Sequence, residues 1–67
     1  MNIQEVKANL GKTVYYELDR KTYEYRLNAC ILRFDKKKGL FYQAELLDVT
    51  CNHSILIVPL EKVKLSK

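Results

Sequence analysis

Cys51, His53 and Ser54 are the residues whose types could do covalent chemistry, and they fall within one short segment. His53 is the only histidine. A thiol or hydroxyl becomes a nucleophile when a base takes its proton, a third group orients the base, and donors await the developing oxyanion. Side chains two apart on a tight turn point in different directions, and no third group is evident. The plainer reading is a polar turn, so no catalytic residue is assigned. Cys51 and His53 offer at most two metal ligands, and the spacing of Cys30 and Cys51 matches no zinc pattern. No metal site and no cofactor are expected. A phosphate-cradling loop needs clustered glycines, and the chain has only Gly11 and Gly39. Glu45 and Asp48 lie three apart, on opposite sides of a regular strand, so they make no acid–base pair. The chain reads as a non-enzyme.

Binding chemistry is better supplied. Arg33, Lys36, Lys37 and Lys38 cluster around one turn, with Asp35 the only opposing charge. A projecting basic loop can track phosphates. Tyr15, Tyr23 and Phe41 could offer stacking surfaces nearby. The plainer reading is a solvated turn whose lysines keep the flanking strands from edge pairing. A second candidate surface is Tyr15, Phe41 and Leu47, aromatic and apolar residues left over once a core face is assigned. Contiguous and exposed, they would suit a protein partner or self-association. Covered by Ile3, Val6 and Leu10 of an N-terminal arm, they would not. The sequence thus predicts a small binding module for nucleic acid, acting through Arg33, Lys36, Lys37 and Lys38. A protein-interaction or inhibitor module is the alternative. No small-molecule substrate is evident.

Composition bounds both readings. The 67 residues suffice for one domain, spanning 1–67. A chain this short buries roughly 60% of its unfolded surface and needs an efficient core. Hydrophobic residues make up 48%, too many for a disordered chain. Twelve Lys and Arg against eight Asp and Glu leave a net charge of +4, which favours anionic surfaces weakly. No apolar stretch is long enough to span a bilayer, so no membrane partner is expected. Residues 1–5 carry no apolar leader region. A reducing, cytoplasmic location with free thiols is the expectation, with Cys30 packed as a small hydrophobe.

The elements follow from period and punctuation. Asn2 with Glu5 three residues on forms a capping box, and Ile3, Val6 and Leu10 make one apolar helical face over residues 2–9. Thr13 to Leu18 alternates as a strand with Val14, Tyr16 and Leu18 on one face. A polar turn is expected over residues 19–22. Tyr23 to Phe34 is a long strand whose alternation breaks at Ile31-Leu32, where a bulge or bend is expected. Residues 35–39 form a turn ending in glycine, and Leu40 to Val49 returns with Tyr42, Ala44 and Leu46 toward the core. A further turn over Thr50 to His53 leads into Ile55 to Val58. Pro59 ends that strand, Leu60 to Lys62 suits a 3-10 turn, and Val63 and Leu65 alternate as a last short strand.

Short strands joined by short turns must pair antiparallel, and closure would remove their edges. The order of elements resembles the SH3-like barrels, through the bent strand Tyr25 to Phe34, the turn Lys36-Lys37-Lys38-Gly39 and the ending Ile57 to Val63. The resemblance implies an all-β, five-stranded antiparallel barrel with a short N-terminal helical turn. Gly11 to Tyr16 and Tyr25 to Arg33 also resemble short uncharacterised proteins of Gram-positive mobile elements, which implies no activity. The chain lacks Trp and an acidic cluster beside paired tyrosines, so proline-rich recognition does not carry over.

Overall fold

The computed structural model describes residues 1–50 and 54–67. The chain begins with helix α1 (Ile3–Asn9). Its capping box is complete: Glu5 N donates to Asn2 Oδ1 at 2.9 Å, and Asn2 N donates to Glu5 Oε1 at 2.9 Å. Two orphan helix-start donors are thereby satisfied. Seven residues are too few to be stable alone, and packing of Val6 into the core holds the helix. Gly11 turns the chain at φ 80°, and its N–H reaches Leu27 O at 2.8 Å.

Four strands follow: β1 (Thr13–Leu18), β2 (Lys21–Asp35), β3 (Gly39–Asp48) and β4 (Ser54–Pro59). They form one antiparallel sheet in the order β1-β2-β3-β4. Asp19 and Arg20 alone join β1 to β2, both at positive φ, so Lys21 and Thr22 already pair with Leu18 and Glu17. The expected four-residue turn is thus two residues. A 3-10 turn (Leu60–Lys62) ends the chain's regular structure. Val6, Val14, Leu27, Ala44, Leu46, Val58, Leu60 and Val63 form the buried core, and every element supplies at least one of them.

The five-stranded barrel is not what forms. Among the described residues the sheet has four strands and does not close. The expected fifth strand is reduced to one bridge, in which Tyr15 and Lys64 exchange two backbone hydrogen bonds of 2.9 Å each. The reason is local. Val63 N is held by Leu60 O in closing the 3-10 turn, and the Val63 side chain drops into the core. Only Lys64 is left in register with β1.

The break in β2 also lies elsewhere. The register with β3 shifts between Leu27 and Ala29, so Asn28 is the extra residue, and not Ile31-Leu32. Past a bulge every side chain changes face. Cys30 therefore lies opposite the buried Ala44, while Ala29 and Ile31 turn outward.

Candidate functional site

The two partners of the β2–β3 hairpin end before it does. β1 accompanies β2 only as far as Arg26, and β4 accompanies β3 only as far as Gln43. The hairpin continues as a two-stranded ribbon to its turn at Lys36–Lys38. This overhang fits the elongated 35 × 26 × 22 Å dimensions of the chain.

The ribbon is closed by chemistry local to the turn. Asp35 Oδ1 accepts from Lys37 N at 2.7 Å and from Lys38 N at 3.2 Å. Those two backbone bonds hold the Asp35 carboxyl below its usual range. Gly39 completes the loop at φ 78°. With Asp35 Oδ1 turned onto backbone donors, the carboxylate forms no ion pair with the turn lysines, which are exposed. Two ion pairs exist among the described residues, Lys64–Glu17 and Lys67–Glu24, and neither involves Arg33 or the turn lysines.

The faces of the ribbon differ. Outward, Arg33 lies opposite Phe41, and Lys38 Nζ sits 5.7 Å from the centre of the Phe41 ring. Arg33, Lys38 and the half-buried Phe41 thus form one group, with Lys36 and Lys37 at the tip. On the other face, Leu32 pairs with Tyr42 and Phe34 with Leu40. This face continues the core surface beyond the core, and none of the described residues covers it. Phe34 and Leu40 are each 70% exposed, Leu32 55% and Tyr42 43%. Rings and leucines of this size expose on the order of 400 Å² together. That is the size of the largest apolar patch on an ordinary monomer, which is often functional.

The second predicted surface is placed differently. Phe41 and Leu47 share the outward face of β3, but they are six residues apart, roughly 20 Å, with Gln43 and Glu45 between them. Tyr15 lies on β1, which never pairs with β3, and its ring has Lys67 Nζ at 5.9 Å. The three are half-buried and do not meet as one patch. α1 is pinned to the core by Val6. The patch that does form, Leu32, Phe34, Leu40 and Tyr42, had a visible signal in the even-numbered apolar residues on both sides of the turn. The bulge at Asn28 hid it, because counting from Tyr25 without a bulge sends Leu32 and Phe34 to the opposite face.

Other chemistry is thin. Cys51 and His53 lie outside the described residues. Among the described residues no three His, Cys, Asp or Glu gather as a metal site. Cys30 is a free, half-buried thiol, and burial pushes it up, away from the reactive thiolate. Gln43 Oε1 is buried without a hydrogen-bond partner among the described residues, and Gln43 lines an open cleft of about 370 Å³ together with Tyr42, Pro59 and Met1. No helix among the described residues is long and apolar enough to cross a membrane. No protein-family model, curated protein or solved structure matches the chain.

Proposed function

We propose that the chain is a non-enzymatic, cytoplasmic binding module that holds nucleic acid, single-stranded in preference to duplex, on its β2–β3 ribbon. The observation that carries this is the exposure of Phe34 and Tyr42 on a ribbon whose tip bears Lys36 and Lys37, with Lys38 and Arg33 on the reverse face. Unpaired bases stack on exposed rings in a sequence-tolerant way, and neighbouring lysines meet the phosphates. A duplex hides its base faces and leaves only the phosphates to bind. Fluorescence anisotropy with a labelled oligonucleotide, alone and annealed, tests the reading at low salt. Affinity should fall with salt at a log–log slope of about −0.7 per single-strand phosphate neutralised, hence about −2 to −3 for three or four cations. Replacing Lys36, Lys37 and Lys38 by Ser should weaken both probes, and Phe34→Ser the single strand more. Absence of binding to either probe at about 500 μM protein, above the weak end of the ordinary non-specific range, overturns the reading.

One observation favours a protein partner instead. Leu32 and Leu40 are as exposed as the rings beside them, and aliphatic side chains gain little from bases. On that alternative, Leu40→Ser abolishes association with a protein and the lysine substitutions leave it intact.

A further inference from the structure

β4 is the last strand of the sheet, and its outer edge pairs with no other strand among the described residues. Edges in soluble proteins are usually guarded by a charge, a bulge, a proline within the strand or a covering segment. The outer edge of β1 is guarded, because Lys64 pairs with Tyr15 there. β4 is not. Its sequence, Ser54 to Pro59, has no charged residue, and its register with β3 runs through six consecutive pairs without a bulge. The only proline stands at its end.

The direction of the free backbone groups follows from that proline. Pro59 has no N–H, so opposite Gln43 it can occupy only a non-hydrogen-bonded position. Such positions alternate along an antiparallel pair. Ile57 opposite Glu45 and Ile55 opposite Leu47 are therefore non-bonded to β3 as well, and their N–H and C=O groups point away from the sheet. Their side chains stand on the outward face, 56% exposed for Ile55 and 39% for Ile57, with Leu47 beside them.

We propose that the chain forms a two-fold dimer by pairing β4 antiparallel with β4 of a second copy, the axis passing at Leu56. This register sets Ile55 of one copy opposite Ile57 of the other, so all the outward N–H and C=O groups of these two residues bond across the axis. It needs nothing from Ser54 or Pro59. It also places β-branched side chains in direct cross-strand pairs, a favourable arrangement. A second copy suits this edge because the edge is complementary to itself. An uncharged strand meets its own image without opposing like charges, although each copy carries +4. The closed two-fold consumes both free edges and stops assembly at two. A contact of one strand pair falls in the small class, below about 1,200 Å², so weak and transient association is expected. Because the copies repel through their net charge, salt should tighten the dimer. Nucleic-acid binding would respond in the opposite sense, and it uses none of these residues.

Sedimentation equilibrium on the full chain, from about 10 μM to 1 mM protein in low and high salt, reads the association directly. A monomer–dimer equilibrium that tightens with salt is expected. Ile57→Lys should weaken it at least tenfold, with circular dichroism and melting unchanged, since Ile57 is exposed and its N–H is not used by β3. A second measurement needs no variant. The amide exchange of Ile55 and Ile57 should slow as protein concentration rises, whereas that of Val58, already paired with β3, should not. A monomer at 1 mM, assembly beyond two copies, or a dimer whose Ile55 and Ile57 amides stay unprotected would overturn the proposal.

Discussion

Arg20 holds φ at 66° next to Asp19 at 52°, the geometry of a two-residue hairpin turn with both positions left-handed. Asp tolerates this region, whereas an ordinary side chain there costs about 1–2 kcal/mol. Glycine removes that strain and adds about 0.5–1 kcal/mol of backbone entropy to be lost on folding. Strain relief is the larger effect, so Arg20→Gly should raise the unfolding free energy by about 0.5–1 kcal/mol. Gly39 supplies the inverse experiment. It sits at φ 78° with open space around the position of a Cβ, so Gly39→Ala meets no clash, only backbone strain. It should destabilise by about 1 kcal/mol. Urea unfolding with unchanged m-values reads both shifts. A fall in midpoint for Arg20→Gly would mean that the entropy term outweighs the strain.

One inserted residue, Asn28, decides which face of β2 is which. The return strand has no bulge, and its alternation is legible: Tyr42, Ala44 and Leu46 were expected inward, and Ala44 and Leu46 are fully buried. Ala44→Lys should therefore place a charge in the core with no partner and cost several kcal/mol, enough to abolish the cooperative melt. Glu45→Lys, one residue on and facing out, loses the hydrogen bond from Asn28 and should cost about 1 kcal/mol or less. Equal stability of the two variants would show the face assignment to be wrong. The capping box and the basic turn were legible for the same reason as β3, since a few adjacent residues specify them. The apolar side of the ribbon was not. Its exposure depends on a bulge and on where β1 and β4 stop, which are non-local facts that periodicity within one strand does not carry.

The last five residues show which forces close this small molecule. They place Val63 in the core, pair Lys64 with both backbone groups of Tyr15, and set Lys64 Nζ 3.3 Å from Glu17. The ion pair is half exposed at both ends, and such pairs contribute about 0–1 kcal/mol. Burial of a valine is worth about 1.5–3 kcal/mol, and two backbone hydrogen bonds about 1 kcal/mol each. Against a total stability of roughly 3–10 kcal/mol for a chain of this length, that segment is a large share. Lys64→Ala keeps the backbone bonds and should shift the unfolding free energy by about 0.5 kcal/mol at most. A chain ending at Lys62 should lose about 4 kcal/mol and approach the unfolded state. It would also uncover the outer edge of β1, giving the sheet a second unguarded edge and a tendency to aggregate. Thermal melts of the two variants separate these contributions. If the shortened chain melts like the intact one, the Tyr15–Lys64 bridge and Val63 do not close the core, and the sheet is held by its hairpins alone.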